Sequence, residues 1–367
     1  MMKKITFLCA ILSVLLTGCE GEVKGLEFND GYLEIKNVSE LRYISEVSHR
    51  NASSKASLKT KDGIEIPFNE AKLRLMKDIV IRNEWSPIKC GRNGSFKIID
   101  GNHHSITFKN LKIELSPSMM DSTDRLHPIN YGLFDKLEQC EIKNLKLNGD
   151  ISLVNNMQDG FDVYVGVLAG QLYAGVRLVD IVNAVNISFI DDSIDEIGNA
   201  KLNLGGIAGI MDGGNDGIGF YGKIINEGNL RADGCQWTQI GGICASITQN
   251  VMFGPDVTIE NKGNITAELS KAFFISNNFI GGIFGEYRYG EKNTIHNEYG
   301  HAKEIKNEGK ILVVDYSYTD ALYAIGGICG WAEGLRKRIS SMDNLGQIEI
   351  KGDHLRNHQN IDDLIGR

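Results

Sequence analysis

The sequence predicts an all-β chain, a repetitive parallel β-helix with a short capping helix near its start. Two phrases that alternate on one period carry that expectation. The first is Gly205-Gly206-Ile207-Ala208-Gly209, repeated as Gly241-Gly242-Ile243-Cys244, Gly281-Gly282-Ile283-Phe284-Gly285 and Gly326-Gly327-Ile328-Cys329-Gly330. Weaker copies are Tyr131-Gly132-Leu133-Phe134 and Val165-Gly166-Val167-Leu168-Ala169-Gly170. Aligned on the second glycine, the copies fall at 132, 166, 206, 242, 282 and 327, with steps of 34, 40, 36, 40 and 45. Periods of this size mean a stacked array, and uneven steps mean loops of uneven length. The second phrase, Asn-x-Gly-x-Ile/Leu, stands at Asn226-Gly228-Leu230, Asn261-Gly263-Ile265, Asn307-Gly309-Ile311 and Asn344-Gly346-Ile348, with Asn183 to Ile187 as a degenerate copy.

The flanks of these phrases read as short strands. Lys223-Ile224-Ile225, Thr258-Ile259-Glu260 and Glu304-Ile305-Lys306 are β-branched and alternating. Glycine permits the bend that follows them. In a parallel stack, neighbouring strands lie about 4.8 Å apart and equivalent residues form columns. Leu133, Val167, Ile207, Ile243, Ile283 and Ile328 are expected to fill the core, followed by an apolar column of Phe134, Leu168, Ala208, Cys244, Phe284 and Cys329. The asparagines would form a side-chain amide ladder at the bend.

The front of the chain fits the same object. Asn37-Val38-Ser39-Glu40 has the form of a capping box, and Val38, Leu41, Ile44 and Val47 then share a helical face. Such a helix would cover the open end of the array and protect its strand edge. Asn51 to Lys61 is polar and serine-rich and reads as a loop. Ile106, Phe108, Leu111, Ile113 and Leu115 alternate like a strand with one slip. The organisation expected is therefore a leader over 1–18, a linker over 19–36, an N-terminal cap and first coils over 37–125, repeats over 126–350 and a C-terminal cap or tail over 351–367.

Met1 to Gly18 reads as a signal peptide, with Lys3 and Lys4 before the apolar run Ile5 to Leu16. The run is too short for a transmembrane helix, which needs about 20 apolar residues. Its ending, Leu16-Thr17-Gly18-Cys19, resembles a bacterial lipobox, which makes Cys19 the lipid-bearing N-terminus of the mature chain. Glu20 and Glu22 resemble part of the acidic tag that sends some lipoproteins of Bacteroides relatives to the outer face of the outer membrane; a plain acidic linker reads equally well. Net charge is −8, and loss of residues 1–18 removes two lysines and no acid, giving −10. That balance argues against nucleic-acid partners, which require basic surfaces. Cys90, Cys140, Cys235, Cys244 and Cys329 remain after Cys9 and Cys19, with no CxxC pair, so neither a disulfide framework nor a zinc site is expected. Cys244 and Cys329 read as small buried apolar residues.

The order Trp85-Ser86-Pro87-Ile88, Asp100-Gly101-Asn102-His103-His104-Ser105-Ile106, Gly132-Leu133-Phe134, Ile142-Lys143-Asn144-Leu145 and then repeated Gly-Gly-Ile-x-Gly resembles GLUG-motif proteins. The resemblance covers roughly residues 35–350. It implies a right-handed β-helix and surface roles that are mostly non-enzymatic, as in adhesin-like proteins. His103 departs from the glycine usual in that family, and Asp135 stands where a glycine usually follows Phe134.

Motifs that would carry chemistry are weak. Gly217 to Gly222 spells GxGxxG but runs into a strand rather than a helix, so no dinucleotide cofactor is expected. Met211 to Gly217 and the acidic stretch Asp191, Asp192, Asp195, Glu196 read as a turn and a solvated loop ahead of calcium sites. His354 and His358 lack a third ligand, so no metal is expected, and His103 and His104 read as turn residues. No catalytic residue is assigned. Aromatics gather near loops: Trp237, Tyr316 and Tyr318, and above all Tyr287, Tyr289 and Trp331, which follow the same strand in successive repeats. These last three are the candidate ligand-binding residues, suited to a glycan or a host or envelope protein; ordinary packing onto the coil is the competing reading. Three functions follow as expectations: a non-catalytic, lipid-anchored outer-membrane or cell-surface protein that adheres or binds glycan; a polysaccharide lyase or glycoside hydrolase, which would require three or more ionisable side chains converging in a groove; and a structural component of an outer-membrane assembly. The leader reading makes a direct prediction. Cells fed labelled palmitate should incorporate label into the wild-type protein and none into Cys19→Ser.

Overall fold

A computed structural model describes residues 23–50, 56–90, 95–116, 119, 128–157, 161–192, 201–235, 237–269, 277–288, 302–315, 322–332, 335, 339–352 and 359–366. The leader, Cys19, Tyr289, Tyr316, Tyr318, His354 and His358 lie outside these residues. Among the described residues there is one α-helix and otherwise strands, so the chain is all-β. Among the described residues no helix is long and apolar enough to cross a membrane.

Three sheets of seventeen, six and seven strands carry the repeats, and nearly all of their pairings are parallel. The seven-stranded sheet stacks Ile129–Tyr131, Val163–Gly166, Lys201–Gly205, Trp237–Gly241, Asn277–Gly281, Leu322–Gly326 and Gln359–Asp362. The six-stranded sheet stacks Phe134–Leu137, Ala169–Tyr173, Ala208–Asp212, Cys244–Ile247, Phe284–Tyr287 and Cys329–Ala332. Each Gly-Gly-Ile phrase is the corner between a strand of one sheet and a strand of the other. Hydrogen bonding continues round that corner: Ile207 N–H donates to Ile243 O, Ile243 to Ile283 and Ile283 to Ile328, each at 2.9 Å.

The first glycine of the phrase has a steric reason. A Cβ on Gly241 would lie 2.0 Å from Cys244 O and 2.7 Å from Gly285 N, both backbone atoms of fixed position. This corrects the alignment of the earlier repeats. Gly166 pairs with Gly205, a first glycine, and not with Gly206. Val167 therefore leaves the Ile column in favour of Leu168, and Ala169, not Leu168, pairs with Phe134 and Ala208. Backbone crowding fixed the register here, because a Cβ on Gly166 would sit 2.3 Å from Ala208 Cα. The rest of the column is as expected, with Ile207, Ile243, Ile283 and Ile328 fully buried.

The asparagines form the expected ladder. Asn183 Nδ2 donates to Asn226 Oδ1 at 2.7 Å, Asn226 to Asn261 at 2.7 Å, Asn261 to Asn307 at 2.8 Å and Asn307 to Asn344 at 2.9 Å. Each Nδ2 from Asn226 onward also reaches the carbonyl two residues ahead, as Asn261 does to Gly263 at 2.9 Å. Buried amide groups are thereby satisfied at every bend, which a buried polar column requires.

At the front, Val38–Arg50 is helical. Asn37 Oδ1 accepts from Glu40 N–H at 3.0 Å, and the Glu40 carboxylate reaches back to Lys36 N–H, one residue before the usual capping-box partner. The helix rests on the Trp85–Lys89 stretch. Ser45 Oγ donates to Ser86 O, and Ser48 Oγ accepts from Lys89 N–H. Ile88 in turn bridges to Phe134, the first strand of the six-stranded sheet. The strand edge beside Tyr32–Ile35 is met by Glu27–Asn29 running antiparallel. One expectation fails: Ser57–Lys59 belongs to a hairpin with Glu65–Pro67 rather than a loop. Leu58 is wholly buried there, an apolar anchor within a polar stretch. The slip in Ser105–Leu115 falls at Asn110, which takes φ +52° where the strand turns a corner.

Ala at Asn261 would strip a donor from Asn307 Oδ1 and Gly263 O and an acceptor from Asn226. Unsatisfied buried groups cost about 1–3 kcal/mol each, so Asn261→Ala should lower unfolding stability by about 2–4 kcal/mol. A urea titration of wild type and variant measures this, and a change below about 0.5 kcal/mol would deny the ladder a stabilising role.

Candidate binding face

Columns on the two smaller sheets meet along a closed trough, whose inner residues Asn203, Gln239, Ser246 and Glu286 are all buried. Its floor is the glycine of the six-stranded sheet: a Cβ on Gly330 would lie 2.5 Å from Ile280 N on the opposing sheet. On one wall, Ser246, Glu286 and Trp331 are in register. On the other, Lys201 pairs with Trp237, and Asn203 with Gln239, which pairs with Phe279. Residues two apart on a strand share a face, so Lys201 and Asn203, like Trp237 and Gln239, point to the same side.

Contacts across the trough join the walls. Glu286 is 1% exposed, so its charge must be met locally. Its Oε2 accepts from Gln239 Nε2 at 2.9 Å and from Ser246 Oγ at 3.0 Å, while Oε1 pairs with Arg288 Nε at 2.6 Å. Arg288 is exposed, with its guanidinium 6.0 Å from the Trp331 ring centre. Trp331 is half-buried and stacks on Phe279, the ring centres 6.0 Å apart.

Lys201 stands at the other end of the group. Its Nζ lies 5.7 Å from the Trp237 ring centre. Burial lowers its pKa, with Arg288 pushing the same way and the Glu286 and Asp162 carboxylates opposing. Asp162 accepts from the Lys201 backbone N–H at 3.2 Å, and burial raises its own pKa. Lys201 from one strand and Glu286 with Arg288 from the end of another thus converge, with Asp162 beside them. Among the described residues no cluster of His, Cys, Asp or Glu could hold a metal ion.

The predicted aromatic residues divide. Trp331 lies on this face. Tyr287 does not: it is 1% exposed, its ring 6.0 Å from that of Phe284, because it points to the core side of its strand. It offers no exposed ring to a ligand. Tyr289 lies outside the described residues. Sequence reasoning missed Lys201 and Glu286, although a charge inside Phe284-Gly285-Glu286-Tyr287, where other copies carry Ile210 or Ser246, was a visible signal. The other motifs within the described residues behave as turns and strands, while Asp195 and Glu196 of the acidic stretch lie outside them. Strand Ile218–Asn226 runs through the GxGxxG stretch, Asp212 Oδ1 accepts from Gly214 N–H at 3.2 Å, and His103 takes φ +62° in its turn. All five body cysteines are buried and unpaired by disulfide, and burial pushes their thiols up.

Glu286→Ala would leave Gln239 Nε2 and Ser246 Oγ without an acceptor inside the trough. A loss of about 2–3 kcal/mol is expected in urea unfolding, with Glu286→Gln losing less than half of that because an amide oxygen still accepts. No protein-family model, curated protein or solved structure matches this chain.

Proposed function

We propose that this chain is a non-catalytic, right-handed parallel β-helix that binds glycan, held at the outer membrane by lipid on Cys19. The handedness and the surface role rest on the resemblance to GLUG-motif proteins, and the address on the lipobox-like start. The observation that carries the binding reading is the trough face, where Trp237, Phe279 and Trp331 accompany Lys201, Glu286 and Arg288. Aromatic rings beside charged and amide groups suit the apolar faces and hydroxyl rims of sugars.

A second reading, cleavage of an acidic polysaccharide, draws on the same convergence of three ionisable groups and on the lowered pKa of Lys201, which brings an amine closer to general-base range. The two readings separate on one array. Full-length protein in detergent is applied to immobilised glycans, and eluted sugars are sized. Saturable binding with chain length intact, weakened at least about tenfold (about 1.4 kcal/mol) in Trp331→Ala, is the expected result. Shortened chains would replace the binding reading with the enzymatic one, and binding to no glycan would remove both. Protease shaving of intact cells tests the surface location: protection of the protein until the outer membrane is opened would place it inside.

A further inference from the structure

Among the described residues four large apolar side chains are exposed: Phe28, Ile64, Val80 and Leu345. Single exposed apolar residues are ordinary; the place of the first two is not. Phe28 is 51% exposed and Ile64 58%. Phe28 lies in Glu27–Asn29, the strand that runs antiparallel beside Tyr32–Ile35. Leu26, just before that strand, bridges to Thr60 at the end of the hairpin of Ser57–Lys59 and Glu65–Pro67. On its other side Thr60 N–H donates to Ile64 O at 2.8 Å. The stack therefore begins with the hairpin, followed by Glu27–Asn29, Tyr32–Ile35 and Lys72–Leu75. Phe28 and Ile64 stand on its outermost strands, with backbones about 12 Å apart by strand spacing and rise. The element that carries them is anchored, since Leu26 and Leu58 are fully buried.

Charges around this end nearly cancel. Glu27 holds Lys36 and Lys61, and Lys59 holds Glu65. Lys24, Lys36, Lys59 and Lys61 stand against Glu27, Asp30, Glu34, Asp62 and Glu65, a balance of −1. No strong field of either sign attracts or repels a charged surface here, so what this end offers is its apolar side chains. The lysines among them carry apolar stems that lie along such a contact while their ammonium groups stay in water. The chain itself limits what can cover these side chains. Val23 packs against the core, so the chain is fixed to the body from that point. Cys19 is four residues earlier, and four residues reach at most about 14 Å. A lipid on Cys19 keeps the membrane within that reach of Val23. A partner domain of 100 residues has a radius of gyration of about 13 Å, too thick to fit between.

Resting on the lipid anchor at Cys19 proposed above, we infer that the N-terminal end of the stack sits on the membrane surface, with Phe28 and Ile64 inserted among the lipid headgroups, and that the array stands out from it end-on. The acyl chains hold the protein; the two side chains fix how it stands. Apolar groups at such an interface enter about 5–10 Å, to the boundary of the acyl chains. The far end is then well clear of the lipid. Eight successive pairings lead from Tyr32–Ile35 to Met342–Asn344, and eight spacings of about 4.8 Å make about 38 Å. Leu345 follows directly on that last strand. Trp331, in the repeat before it, is carried away from the headgroups with the face proposed to bind glycan.

The test reconstitutes the full-length, cell-processed protein into phosphatidylcholine vesicles, with or without bromine on the acyl chains near the headgroup. Bromine quenches tryptophan on contact. Phe28→Trp, Ile64→Trp and Leu345→Trp each add one indole to the native three, and the signal read is the emission added over wild type. Insertion to the acyl boundary should cut the emission added by Phe28→Trp and by Ile64→Trp by about twofold or more in brominated vesicles. The emission added by Leu345→Trp should be unchanged. Two positions on different strands guard against one variant that fails to fold. The mass of the N-terminal peptide from the same samples reports lipid on Cys19 independently. With Cys19 lipidated, quenching at neither Phe28→Trp nor Ile64→Trp overturns the seating and leaves the anchor in place. Quenching of Leu345→Trp as deep as theirs overturns the end-on stance, since the array then lies along the membrane. A Cys19 without lipid overturns the anchor and the seating together.

Discussion

Everything in this molecule depends on parallel backbone pairing that does not stop at the corners. A strand pair usually ends where its chain turns. Here Ile207, Ile243 and Ile283 N–H groups go on donating to the next repeat within the turn itself. That continuity forces backbones close together, and the first glycine of each phrase exists because no side chain fits. The substitution that would be mildest elsewhere, glycine to alanine, would meet carbonyl oxygen at 2.0 Å at Gly241. The recurrent glycines are a packing constraint written into the sequence, more than a supply of flexibility.

The asparagine ladder solves the complementary problem. A bend interrupts strand pairing and leaves carbonyls facing the interior. One amide per repeat meets its own bend with Nδ2 and accepts from its neighbour with Oδ1, so the column closes its hydrogen bonds without water. A backbone fixed at two corners per repeat tolerates unequal connections between them. That is why copies of the phrase stand 36 to 45 residues apart from Gly206 onward and still register strand on strand.

This separation explains what the sequence made legible. Strand identity, the Ile column, the ladder and the helix over Val38–Arg50 all follow from local patterns of two to five residues, which survive loop variation. The register of Gly166 was not legible, because Val165-Gly166-Val167 fits either glycine position and only contact with Ala208 decides. Tyr287 was misplaced for a related reason: an aromatic near a loop suggests exposure, while its burial comes from packing beside Phe284 in the core. The trough was least legible of all. Lys201, Gln239 and Glu286 are 38 and 47 residues apart along the chain, and no spacing rule connects them once loop lengths differ.

The position of that polar group follows from the stack as well. A buried carboxylate is tolerable only where donors reach it from more than one side. Glu286 receives them from Gln239 and Ser246 of the preceding repeat and from Arg288 of its own, while Trp331 of the following repeat lies in register beside it. An end strand would offer neighbours on one side alone and leave the acid in water, where it would hold its arginine weakly. The trough can therefore carry desolvated charge only in the interior of the array. Its walls come from successive repeats, so the group exists only when those repeats are stacked in register. The glycine corners beside it and the asparagine ladder away from it are what hold its charged groups together.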